Sequence, residues 1–155
     1  MQKKVLVVSA HPDDEVLGAG GTMLRHVDYG DEVRVVLLTQ GGLGSSTPQE
    51  LREQSQSCAG FIGVSKVYYG DFPDQHLETV PLIDIIQFLE KIIFEYEPDI
   101  VYTHYQGDLN YDHRITSNAV LTAVRPNKQK NVERIYTFPV NSSSVYPQLF
   151  GSFIP

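Results

Sequence analysis

Short apolar runs alternate with amphipathic stretches along this 155-residue chain, and that alternation restricts its possible folds more than any other feature. Residues 5–10 read as a buried strand and 18–29 as a helix closed by Gly30. A second strand over 32–39 leads into the loop 40–46. A helix over 48–61 follows, with Thr47 as its N-cap and Pro48 in its first position. Residues 66–69 form a short strand and 70–78 an acidic loop. In 81–96, Leu82, Ile85, Ile86, Leu89, Ile92 and Ile93 recur at the three-to-four spacing of one buried helical face. A strand over 100–104, a helix over 111–124 and a strand over 134–139 complete the pattern. Crossovers of this length predict a Rossmann-like three-layer α/β/α sandwich with a mostly parallel sheet, in one domain over 1–155. Residues 140–155 offer no element to cover a terminal strand, so the expectation is a domain truncated at its C-terminus.

Composition narrows the class of partner. Nineteen acidic against twelve basic residues give a net charge of -7, with no basic tract to follow a nucleic-acid backbone. No run of about 20 apolar residues is present to span a membrane. The single cysteine, Cys58, excludes an internal disulfide framework and fits a reducing compartment. The expectation is a soluble cytoplasmic protein acting on a small molecule, with homo-oligomer formation left open.

Chemistry enters at the end of the first strand, where His11-Pro12-Asp13-Asp14-Glu15 follows the apolar run directly. Open α/β sheets present ligands at that edge. Carboxylates this close together call for a proton or a cation among them. The strand over 100–104 ends in a second polar loop, 105–114, containing Asn110, Asp112 and His113. In a parallel sheet both loops share one edge, which lets His113 face His11 and Asp14. Two imidazoles and a carboxylate make a facial set suited to zinc, with coordination left open for water. Asp13, pointing to a different side of the turn, is the natural base.

These residues resemble the PIG-L/LmbE-like zinc N-deacetylases, which remove acetyl groups from N-acetylglucosamine-type sugars. The resemblance rests on Ala10-His11-Pro12-Asp13-Asp14-Glu15, on Asp112-His113 at a helix start, on Gly20-Gly21-Thr22 and on the Phe72-Pro73-Asp74 loop. It implies that His11, Asp14 and His113 bind Zn2+, that Asp13 is the general base, and that Arg52 and Asp74 contact the sugar. Several relatives carry a histidine where this chain has Asn110. Asparagine can donate a hydrogen bond to an oxyanion but cannot deliver a proton. His104, nine residues before His113, or Asp13 itself would then protonate the leaving amine.

Two other readings compete. A receiver-like module would use Asp13 and Asp14 for magnesium and Asp71 as phospho-acceptor, but it leaves His11 and His113 unexplained. A zinc-binding scaffold impaired in catalysis by truncation and by Asn110 is the other. His26 and His76 read as surface residues, the Gly41-Gly42-Leu43-Gly44 run as a rim loop, and most tyrosines as strand packing.

Overall fold

A computed structural model describes residues 2–42, 46–126 and 132–141. Five strands, β1 (Lys4–Ser9), β2 (Glu32–Thr39), β3 (Lys66–Phe72), β4 (Ile100–His104) and β5 (Arg134–Phe138), form one sheet in the order β3-β2-β1-β4-β5. Every pairing is parallel. Helices α1 (Asp14–Asp28), α2 (Pro48–Ile62), α3 (Leu82–Tyr96) and α4 (Tyr111–Ala123) connect them, with a 3-10 turn at Leu77–Thr79.

Side chains alternate across a strand, and here the alternation separates two cores. Val5 and Val7 of β1 join Val33, Val35 and Leu37 of β2 in a cluster with Ala19 and Met23 of α1 and Ile62 of α2. Leu6, Val8, Val36 and Leu38 face the opposite cluster with Ile85 and Leu89 of α3 and Val120 of α4. Helices thus cover both faces, as the three-layer expectation requires. The chain winds outward from β1 through β2 to β3, then returns to place β4 on the other side of β1. That reversal opens a crevice between the C-terminal ends of β1 and β4.

Local signals behave as their chemistry dictates, with three differences. Thr47 caps α2 through a reciprocal box: Thr47 Oγ1 accepts the Glu50 N–H at 3.3 Å, and Glu50 Oε2 accepts the Thr47 N–H at 2.8 Å. Helix α1, however, begins at Asp14 rather than Gly18, because the Asp13 carbonyl already accepts from Val16 and Leu17. Strand β3 continues past Tyr69 to Phe72 across a register shift. It can do so because residue 70 is glycine: a Cβ there would stand 2.6 Å from the Leu38 carbonyl oxygen. Leu82, expected on the buried face of α3, is exposed, while Ile85, Ile86, Leu89 and Ile92 are buried. The tail expectation and part of the 41–44 glycine run lie outside the described residues.

Gly18 is the tightest contact between α1 and the far strand, since a Cβ at that position would run into the Phe138 ring of β5. That ring is itself held against His104, with centroids 4.9 Å apart. Gly18→Ala gains helix propensity of roughly 1 kcal/mol, but overpacking costs about 1–3 kcal/mol. With a pinned ring we expect net destabilisation, read as a lowered midpoint in denaturant unfolding.

Candidate metal centre and active site

Strands β1 and β4 pair from Val5 with Ile100 to Val7 with Tyr102, so their outgoing loops leave side by side. From β1 the chain turns through Pro12 and Asp13 into α1. Asp13 takes φ 112 and ψ −31, a conformation that side-chain-bearing residues rarely adopt. From β4 it runs to Asn110, whose Oδ1 accepts the backbone N–H groups of Asp112 at 2.9 Å and His113 at 3.4 Å, capping α4. Asp14 and Asp112 occupy the first turns of their helices. The positive ends of two helix dipoles therefore converge on the crevice, where they favour carboxylates.

His11, Asp14 and His113 meet there. His11 Nδ1 and His113 Nε2 each lie 3.1 Å from Asp14 Oδ2 and 3.2 Å from one another, forming a nearly equilateral triangle of ligand atoms. Each imidazole is backed on its other nitrogen by a buried carboxylate: Asp112 Oδ2 is 3.1 Å from His11 Nε2, and Asp108 Oδ2 is 2.9 Å from His113 Nδ1. That arrangement fixes which nitrogen carries a proton and leaves the other free to ligate. Asp112 is anchored in turn, its Oδ1 accepting the Leu77 N–H at 3.1 Å.

The cage demands positive charge. Burial pushes the His11 imidazole down, but Asp112 and Asp14 outweigh it and hold the group up to about 10. His113 is likewise raised by Asp14 and Asp108 against its burial. Burial opposes ionisation of Asp14, yet hydrogen bonds from both histidines keep its carboxyl well below the usual range. A divalent cation in the triangle satisfies the same demand and would displace protons on binding. Asp13 is raised by its burial and by Asp14, and Glu15 is pushed up to about 7, chiefly by burial.

The sequence-derived residues separate into three places. His11, Asp13, Asp14, Asp74, Asn110 and His113 line one cleft of about 290 Å³. Asp74 Oδ1 comes within 3.5 Å of His11 Nε2. Arg52 lies in an adjoining hollow of about 500 Å³ that shares Pro12 with the cleft. There it pairs with Asp71 and stacks 4.2 Å over the Tyr69 ring. His104 sits beneath the triangle, wholly buried, with its ring stacked on His113 at 3.9 Å. Its Nε2 accepts the Ala10 N–H at 2.9 Å, and burial together with His113 pushes its pKa down to about 3. It is absent from the lining of the cleft.

Sequence reasoning missed Asp108 and Asp112 as partners of the ligands, Glu15 as a buried acid, and Gln75. The Gln75 amide lies 3.2 Å from His11 Nε2 and takes a hydrogen bond from Asn110 Nδ2 at 3.4 Å. A signal for the two aspartates was present: histidine ligands require an acceptor behind them, and both acids share the loop with His113. Gln75 adopts φ 55, which nothing in the sequence announces.

A parallel α/β sheet with a His-Asp-His cluster able to hold a metal ion at its switch point sets this chain apart from a receiver module. The chain belongs to the GlcNAc-PI de-N-acetylase (PIG-L) family, whose description matches residues 6–124. It is 31% identical over 160 residues to the uncharacterized deacetylase YaiS of Escherichia coli, covering 97% of this chain and 82% of that protein. The crystal structure of TT1542 from Thermus thermophilus superposes with a TM-score of 0.80 at 29% identity, over 90% of this chain and 68% of that one. N,N'-diacetylchitobiose deacetylase from Pyrococcus horikoshii superposes with a TM-score of 0.70 at 30% identity, over 84% of this chain. The chain spans about half of that enzyme, 52% of its length. A 4-oxalmesaconate hydratase of Pseudomonas putida is also similar, 30% identical over 128 residues that cover 72% of this chain and 48% of that enzyme.

Asp108→Asn should leave the fold intact but misorient His113, weakening metal affinity about 10- to 100-fold. Competition against a chromophoric chelator measures the change.

Proposed function

We propose that this chain is a zinc-dependent hydrolase that removes the N-acetyl group from an N-acetylglucosamine-type sugar or conjugate. The observation that carries the reading is the triangle of His11, Asp14 and His113 with Asp13 beside it in the same cleft. Its edges of 3.1 to 3.2 Å lie close to the roughly 3.3 Å between ligands of a tetrahedral zinc with bonds near 2.0 Å. Two imidazoles and one carboxylate are a donor set that zinc accepts, with one position left for substrate. When bound, zinc polarises a carbonyl and makes water acidic enough to attack near neutral pH.

The chain's own residues complete the chemistry. Asp13 takes a proton from the attacking water and returns it to the amine nitrogen as the C–N bond breaks, releasing acetate. Its place in the cleft beside the triangle supports this double duty. His104 is a poorer donor in this reading, being buried, neutral and occupied by the Ala10 N–H. Asn110 spends its oxygen on the cap of α4 and keeps its Nδ2 hydrogens for Gln75 and the cleft. We assign it to hold the developing oxyanion. Asp74 at the cleft wall and Arg52 in the adjoining hollow are assigned to the sugar hydroxyls.

No helix among the described residues is long and apolar enough to cross a membrane, and Cys58 is free. A cytoplasmic location is part of the proposal, supported by the free cysteine, which fits a reducing compartment.

The decisive experiment combines metal analysis with acetate release from acetylated amino sugars, free and conjugated. The parent should bind one equivalent of zinc, and His113→Ala should lose it. Asp13→Asn should retain zinc yet lose about 100- to 10,000-fold in kcat. Full turnover in Asp13→Asn removes the base assignment, and a parent with 4-oxalmesaconate hydratase activity instead removes the reaction class. Asn110→Ala should slow turnover by up to about a hundredfold if it holds the oxyanion. A change confined to about 1 kcal/mol of stability would leave it only a helix cap.

A further inference from the structure

Glu15 is the one acid of the His11 to Glu15 run that ligates nothing and does not line the metal cleft. It is 5% exposed and looks into a cavity of about 10 Å³ bounded by Met23, Leu37, Ser55 and Ile62. Burying a carboxyl in such surroundings is costly unless it has a partner. Its partners are main-chain N–H groups: Glu15 Oε2 accepts the Asp13 N–H at 3.0 Å, and the carboxyl is also held by the Glu15 N–H.

The cap of α1 explains why this matters. Asp13 is the N-cap, a position where aspartate normally turns its own carboxylate onto the N–H groups of the first turn. Here its side chain makes no capping bond. Glu15, two residues on, performs the backward half of a capping box by holding the N-cap N–H. The Asp13 carboxylate is thereby left to the cleft. The φ of 112 goes with this arrangement, and a strained backbone of this kind persists only where neighbouring groups over-determine it. On one side the Asp13 carbonyl is committed to Val16 at 3.0 Å and Leu17 at 2.9 Å. On the other its N–H is committed to Glu15.

We infer that Glu15 is a positioning residue for Asp13: its buried carboxyl oxygen holds the Asp13 peptide in the left-handed turn that presents the base to the substrate. Glu15 touches neither metal ligand atoms nor substrate and acts through the backbone alone. What it supplies is an acceptor at a fixed reach, not a charge. The inference rests on the reading of Asp13 as the base, and its test includes a measurement that needs no turnover.

Glu15→Gln keeps an acceptor oxygen at the same reach, Glu15→Asp withdraws it by one methylene, and Glu15→Ala removes it. Hydrogen exchange at the Asp13 amide is read in all four zinc-loaded proteins. Protection should match the parent in the Gln variant and fall at least tenfold in the Asp and Ala variants, while amides in β1 and β4 stay protected. In turnover, Gln should stay within about threefold of the parent. Asp and Ala should lose tenfold or more in kcat with KM and zinc content nearly unchanged, and combining either with Asp13→Asn should give a protein no slower than Asp13→Asn alone. An Asp13 amide that stays protected in the Ala and Asp variants overturns the inference. So does a kcat loss that adds in full to that of Asp13→Asn. If Glu15→Ala fails to fold, the Asp and Gln pair decides. A parent inactive on every acetylated sugar would strike the functional reading alone, and the exchange data would still judge the role of Glu15.

Discussion

A single carboxylate oxygen joins the two halves of this molecule. Asp14 Oδ2 receives the His11 main-chain N–H at 3.0 Å and the ring nitrogens of His11 and His113 at 3.1 Å each. Those histidines are 102 residues apart in sequence. What brings them together is the parallel pairing of β1 with β4, the caps that start α1 and α4, and Gly18, which admits the Phe138 ring against His104. Removing one member of a buried charged cluster typically costs 3–5 kcal/mol, because its partners are left uncompensated. The cage is therefore a point of structural vulnerability as well as the centre of the proposed active site. Asp108 and Asp112 share the strain by holding the outer nitrogens.

Much of this was legible because the governing signals are local. The apolar run of β1, the spacing in α3 and the Thr47-Pro48 start of α2 each encode their element within a few residues. Parallel topology then followed from alternation, and topology alone was enough to predict that His113 would face His11 and Asp14. What escaped notice depends on the burial of particular atoms. His104 reads as a polar residue at a strand end, yet the Ala10 N–H and the Phe138 ring draw it under the sheet edge. Arg52 is paired with Asp71 in a hollow that adjoins the cleft through Pro12, a pairing that the sequence does not announce. The start of α1 was misjudged because the acids of the motif were assigned to a loop, although acids in a first helical turn are favoured by the dipole.

Asn110 illustrates how one side chain can serve two structural demands. Its oxygen is fully engaged by α4, which places His113 at the triangle, and its nitrogen faces Gln75 across the cleft. A histidine at that position would exchange this cap for a titratable ring. On the proposed reading, the present arrangement gives up a proton source, gains a fixed donor and leaves proton handling to Asp13.

The crossover from β3 back to β4 also has a consequence for assembly of the chain. Nothing in the β1-α1-β2-α2-β3 half carries a complete metal cage, since His113 arrives only after β4 has docked beside β1. Pairings of this sequence separation form slowly, because loop entropy must be lost before contacts reward it. On the proposed reading, a cation that recognises only the finished edge would latch that docking. At a hundred times its dissociation constant it would deepen the native basin by about 2.7 kcal/mol, and it would do so by slowing the escape of β4 rather than by strengthening either half alone.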